Sequence, residues 1–148
     1  MKKLQIKMLS GDVPLPEYAT AGSAGMDLCA NVSDVTEIAP GETIRVPTGI
    51  AIALPDSEHV ALICARSGLS IRHGITLANG VGVIDSDYRG EILVGLYNQS
   101  DRVYAIEPGE RIAQMLILPI CRPELDVCES LDETERGAGS FGSTGRIS

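Results

Sequence analysis

The chain has no tryptophan and one phenylalanine, and its lysines are confined to Lys2, Lys3 and Lys7. With so few rings, a core must be packed by aliphatic side chains, each of which buries less area than an aromatic one. Positive charge is also scarce: 12 Lys and Arg stand against 20 Asp and Glu, for a net charge of −8 over 148 residues. That balance argues against a general nucleic-acid binder. No apolar run approaches the ~20 residues of a membrane helix, because even Ile112 to Ile120 is interrupted by Gln114 and Pro119. The basic start, Met-Lys-Lys-Leu-Gln-Ile-Lys, has no continuous apolar stretch behind it. No secretory signal is expected, and the expected compartment is the cytoplasm. Cysteine pairs of the C-x-x-C type are missing as well: Cys29, Cys64, Cys121 and Cys128 are scattered, and only His59 and His73 are available to share a metal. Cys29, Cys64 and Cys128 lie in apolar stretches, so buried, reduced thiols without a chemical role are expected.

Helical periodicity is absent over windows of about 11–18 residues. What is present is a series of short Val-, Ile- and Leu-rich segments punctuated by Gly, Pro, Asn and Asp, the pattern of many short strands. Residues 43–46, 50–54, 59–63, 91–97 and 111–118 are the clearest. Ala39-Pro-Gly-Glu42, Leu54-Pro-Asp-Ser57 and Glu107-Pro-Gly-Glu110 place Pro and Gly as type I or II turns require. One short helix is expected, starting near Ser67 and ending by Gly74. The fold class is all-β, mostly antiparallel, as a jelly-roll or barrel-like sandwich. The length suits one domain, taken as residues 1–135, followed by a Gly-rich tail over 136–148. A small aliphatic β domain also has reason to complete its core by oligomerising.

Three segments carry chemistry. The tail combines Gly137, Gly139, Gly142 and Gly145 with Arg136, Arg146, Ser143, Thr144 and the single Phe141. A mobile backbone with these side chains suits a lid that stacks on a ring and binds an anion; the plainer alternative is a disordered Gly/Ser tail. Gly137-Ala-Gly-Ser-Phe-Gly142 satisfies G-x-G-x-x-G and mimics a P-loop. Neither match holds, because no helix can follow and no Lys precedes the hydroxyl. At Ala65-Arg-Ser-Gly-Leu69 a strand should pass into the short helix, with Ser67 as its cap and Arg66 beside freed N–H groups, a phosphate cradle or else a plain cap next to a surface arginine. Residues 79–91 read as a β-hairpin in which Asp85 follows Val83-Ile84 at a strand end. Partial burial there would suit a general base, with Asp87 and Glu91 as alternatives and a solvated turn as the plain reading.

Taken together, these segments resemble the homotrimeric dUTPases. Five motifs occur in that family's order across nearly the whole chain: Ala21-Gly-Ser-Ala-Gly-Met-Asp-Leu28, Ala65-Arg-Ser-Gly-Leu69, residues 79–91, Pro108-Gly-Glu-Arg-Ile-Ala-Gln114, and residues 136–145. The resemblance implies a jelly-roll-like distorted β-barrel with one short helix that assembles as a trimer, each active site drawing on more than one chain. It implies hydrolysis of dUTP to dUMP and pyrophosphate by water attack on the α-phosphorus, assisted by Mg2+. That reaction limits uracil incorporation into DNA and supplies dUMP for thymidylate synthesis.

By the same resemblance Asp85 orients and deprotonates the water, and Tyr88 packs on the sugar and excludes a 2′-hydroxyl. The backbone of Gly82, Val83 and Ile84, supported by Asn79, reads uracil. Arg66, Ser67, Gly68 and Gln114 bind phosphates; Arg136, Ser143 and Thr144 serve the γ-phosphate from the tail, Phe141 stacks over the base, and Gly142 belongs to the same substrate-binding segment. Asp27 is placed near the water shell of the metal. Ala65, Glu110 and Ser140 depart from the residues most common in the family, and Ser140 is the one expected to restrict the tail. Two other classes compete: a dCTP deaminase, which needs a glutamate in place of the hairpin Asp, and a trimeric nucleotide-sensing module without catalysis.

Overall fold

A computed structural model describes residues 3–140 of the chain. Its strands are β1 (Gln5–Met8), β2 (Met26–Cys29), β3 (Thr36–Ile38), β4 (Thr43–Pro47), β5 (Ile50–Ala53), β6 (His59–Cys64), β7 (Ile75–Leu77), β8 (Gly82–Ile84), β9 (Leu93–Asn98), β10 (Tyr104–Ile106) and β11 (Arg111–Pro119), with helix α1 (Ser67–His73) between β6 and β7. Every strand pairing is antiparallel. The sheets run β2-β11-β6-β8, β4-β9-β7, β1-β5 and β10-β3. Neighbours in space are seldom neighbours in sequence, as in a jelly-roll. The five strand segments legible from apolar runs all appear, shifted at their ends by a residue or two.

The core is aliphatic. Leu28, Ile38, Ile50, Ile75, Ile92, Leu96, Ile106, Ile112 and Met115 are fully buried, and among the described residues no aromatic belongs to the cluster of buried residues. Two buried polar side chains tie distant segments together: Thr48, just after β4, donates to the carbonyl of Ile92, just before β9, at 2.7 Å, and Asn98 Nδ2 on β9 donates to the Ile38 carbonyl on β3 at 2.9 Å. Both expected Pro-Gly turns form. Gly41 and Gly109 adopt φ of 76°, the left-handed value that type II demands at its third residue, and Glu42 and Glu110 donate back to the carbonyls of Ala39 and Glu107 at 3.0 Å.

Three expectations change. Ser67 is not the helix cap: Arg66 holds that place in an extended conformation (φ −88°, ψ 127°), no side chain caps the helix, and Ser67 is the first helical residue. The far end behaves as expected, with Gly74 in the left-handed region. Residues 79–91 do not form a hairpin, because β7 pairs with β9 while β8 pairs with β6. The segment crosses from one sheet to the other, which local alternation of apolar residues cannot distinguish from a hairpin. The thiols are also less buried than their neighbours suggest. Cys29 and Cys64 are half-buried and Cys121 and Cys128 are exposed; the last two follow β11, after which the described residues form no further strand to cover them.

Candidate active site

The register of the four-stranded sheet assembles the first cluster. Gln114 on β11 lies opposite Asp27 on β2 and opposite Cys64 on β6, so the three form a row across the sheet. All three are half-buried while their strand neighbours Leu28, Ile63 and Met115 point into the core. The row therefore faces outward, where it lines a cleft of about 480 Å³ together with Gly25, Arg66, Ser67, Gly68 and Arg111.

Within the cleft, charge is arranged around Asp27. Arg66 Nε lies 2.9 Å from one carboxylate oxygen and Arg111 Nη1 lies 3.0 Å from the other. Arg66 Nη1 also donates to the Arg111 carbonyl at 2.9 Å. The Asp27 side chain is 19% exposed and that of Arg66 27%, so this pair is sheltered enough to fix geometry; Arg111, at 56%, is held more loosely. Arg66 thus reaches to a neighbouring strand from an extended backbone, the conformation usual for a residue at the start of a helix. Gln114 Nε2 donates to the Ala65 carbonyl at 2.9 Å, tying the same loop to β11. The result is two guanidiniums around one carboxylate, a net positive cleft in an acidic protein.

Arg111 was not singled out from the sequence. Its signal was its place in the segment from Pro108 to Gln114, directly after a Pro-Gly turn that is braced twice. Glu110 Oε2 accepts from the Glu107 N–H at 3.0 Å, and Glu110 Oε1 accepts from the Tyr104 hydroxyl. Partial burial and this carboxylate hold the Tyr104 hydroxyl well above the ordinary tyrosine range. Burial, followed by the Asp27 carboxylate, likewise raises the Cys29 thiol, which fits an unreactive role.

The second cluster lies on β8 and the loop after it. Ile84 is opposite Ala61 and Gly82 opposite Ile63, so Asp85 leaves the sheet at the end of β6 remote from Cys64 and Arg66. Three strand positions from Ala61 to Cys64 alone account for about 10 Å. Asp85 is exposed rather than partly buried, and its carboxylate makes no hydrogen bond or ion pair with a described residue. Of the alternatives considered beside it, Glu91 is committed to the fold: its Oε1 accepts from the Gly49 N–H at 2.8 Å. Tyr88 is held at both ends, its N–H donating to the Asp85 carbonyl at 3.2 Å and its hydroxyl to the Glu91 carbonyl at 2.9 Å. Asn79 sits in the turn before β8, where its carbonyl accepts from Val81 N–H at 2.8 Å. Val83, Ile84, Asp85, Tyr88, Glu91 and Leu93 line a separate cleft of about 250 Å³ that shares no residue with the first.

Arg136 is exposed and donates from Nε to the Gly139 carbonyl at 3.2 Å. Phe141, Gly142, Ser143 and Thr144 lie outside the described residues. For a magnesium ion the donor set is informative. Both oxygens of Asp27 are engaged by arginine, and no group of three His, Cys, Asp or Glu gathers among the described residues. Among the described residues there is thus no ready cage of hard oxygen ligands.

The dUTPase family model matches residues 11–145. The chain is similar to the deoxyuridine 5'-triphosphate nucleotidohydrolases of Serratia proteamaculans, 49% identical over 150 residues, and of Salmonella enteritidis, 50% identical over 150 residues; each alignment covers 99% of both chains. Among solved structures it is similar to a Staphylococcus bacteriophage 80alpha dUTPase variant with dUpNHpp, at TM-score 0.88 and 30% identity, covering 99% of this chain and 100% of that one. With motifs, fold and full-length relatives in agreement, the chain belongs to the dUTPase family.

Proposed function

We propose that the chain hydrolyses dUTP to dUMP and pyrophosphate, with Asp85 as the general base for a water that attacks the α-phosphorus. The observation that carries this reading is the division of labour between the two clefts. One presents fixed cations suited to a triphosphate, and the other presents a carboxylate with no partner among the described residues, beside a tethered ring. Arg66, Ser67, Gly68 and Gln114 take the phosphates. Tyr88 meets the deoxyribose, the backbone of Gly82, Val83 and Ile84 reads the uracil edge, and Asn79 supports that strand. Arg136 and the tail residues Phe141, Gly142, Ser143 and Thr144 close over the nucleotide.

Mg2+ enters as the complex of the triphosphate, whose oxygens supply its ligands; on this reading Asp27 serves to orient Arg66 and Arg111. A triphosphate brings about four negative charges, which the net charge of −8 repels at long range. The local pair of arginines offsets that repulsion where it matters. Asp85 and Arg66 stand at opposite ends of β6, which supports completing each site with a second copy of the chain, as in a homotrimer. Val83 and Leu93, exposed beside Asp85, suit cover by that copy.

Phosphorus NMR with dUTP, dCTP, dTTP and UTP in the presence of magnesium tests the reading. Pyrophosphate and dUMP from dUTP alone are expected. Unchanged dUTP, or a phosphate other than pyrophosphate, overturns the chemistry, and ammonia from dCTP would indicate a deaminase. Light scattering that gives a monomer or dimer overturns the shared site.

A further inference from the structure

Tyr88 lies across Gly90. A Cβ built at Gly90 would stand 2.4 Å from the Tyr88 hydroxyl oxygen, 2.7 Å from Cζ and 3.1 Å from Cε2, all closer than ordinary van der Waals contact allows or at its tight edge, and these are its three nearest atoms. Gly90 is not among the residues with positive φ, so its backbone accepts an L side chain and the obstacle is Tyr88 itself. Beyond the ring, the Tyr88 hydroxyl donates to the Glu91 carbonyl, and the Glu91 carboxylate is anchored on the Gly49 N–H. The ring is therefore tied to the body of the sheet through Glu91 and rests on a bare Cα at Gly90.

We propose that Gly90 is a positioning residue for sugar selectivity: its missing side chain sets the height of the Tyr88 ring and so the room left for a substituent at the 2′ carbon. The inference rests on the reading that Tyr88 meets the deoxyribose. Alanine at this place would lift the aromatic edge or swing it aside, because the atoms crowding the new methyl at under 3 Å belong to the far end of the Tyr88 side chain, held there by one hydrogen bond, and not to the backbone. Opening space beside the sugar weakens rejection of a ribonucleotide, and a misplaced ring also holds the correct sugar less well.

The test is steady-state kinetics of the full chain with dUTP and UTP. Gly90→Ala is expected to lower the dUTP to UTP ratio of kcat/KM about tenfold, mainly through KM, with kcat on dUTP changed by less than about threefold. Tyr88→Phe removes the atom nearest the new methyl, so Gly90→Ala combined with Tyr88→Phe recovers part of the lost ratio. In a Tyr88→Ala background, Gly90→Ala changes the ratio by less than about twofold, because the residue it acts through is gone. A ratio unmoved by Gly90→Ala, in a protein where Tyr88→Ala lowers it, overturns the inference and leaves the role of Tyr88 standing. An undiminished effect in the Tyr88→Ala background overturns it too. A ratio indifferent to Tyr88→Ala removes both. Should Gly90→Ala alone not fold, recovery of folded protein on adding Tyr88→Ala supports the contact, and failure to recover overturns it.

Discussion

In the Arg66 cleft the charged side chains hold one another: Asp27 bridges Arg66 and Arg111 before any ligand arrives. The loop from Asp85 to Glu91 is organised in the opposite way. Its backbone and its tyrosine are tied down by hydrogen bonds, and the Asp85 carboxylate is left without a partner among the described residues. The difference follows from the work proposed for each. A site that receives a polyanion gains from cations already aimed, since ordering long arginine side chains on binding costs free energy. A base must keep its lone pair available, and any permanent donor would compete with the water it is to deprotonate.

The sharpest way to break this contrast is Asp85→Asn. It is expected to lower kcat by about 10² to 10⁴, or about 3–5 kcal/mol, while equilibrium unfolding changes by less than about 0.5 kcal/mol because no native contact among the described residues is lost. A large loss of stability would show that the carboxylate holds the fold.

Asp27→Asn should behave in the reverse sense. Releasing the two guanidiniums is expected to raise KM for dUTP about tenfold and to cost about 1–2 kcal/mol in urea unfolding at fixed protomer concentration. An unaltered KM would mean that substrate orients the arginines by itself.

A smaller effect is expected one step back from the cleft. Glu110→Ala removes the acceptor for both the Tyr104 hydroxyl and the Glu107 N–H, loosening the turn that precedes Arg111. About 1 kcal/mol of stability should go, with a rise in KM smaller than that of Asp27→Asn.

The smallest effect is visible only in alkali. The Tyr104 hydroxyl is raised in the folded chain above its ordinary value of 10.0, so the folded state keeps this proton when the unfolded state has begun to lose it. The stability it contributes is whole below the unfolded value and declines as pH rises past it. Tyr104→Phe should flatten that part of the stability profile, measured by denaturant titration at stepped pH, and an unchanged slope would mean that the phenol ionises as freely folded as unfolded.

Much of this molecule was legible in one dimension. Strand-forming runs, Pro-Gly turns and the glycine after His73 act through their own backbone preferences, and each appears where those preferences place it. The aliphatic core followed from scarcity of rings alone. What escaped reading depends on partners remote in sequence. Leu77 and Gly82 are five residues apart, yet one faces β9 and the other β6, and nothing local to the turn between them states that choice. Ser67 looks like a cap because its neighbourhood fits one; Arg66 holds that place instead, with its side chain on an aspartate 39 positions upstream. Arg111 becomes visible as a cation of the cleft only when the sheet register sets its strand beside Asp27. Asp85, by contrast, is singled out by its motif, and that its carboxylate has no partner among the described residues is something a motif cannot tell.

The ties within residues 85–91 are short in sequence: Tyr88 to Asp85, Arg89 to the carbonyls of Ser86 and Tyr88, and Tyr88 to Glu91 all span three residues or fewer. Such a segment is closer to a cassette than to a product of its surroundings. Drift elsewhere in the barrel can rewrite the aliphatic packing without disturbing the angle between carboxylate and ring. It also makes the segment portable, since a strand end that offers one N–H in the place of Gly49 would receive it with its shape already set.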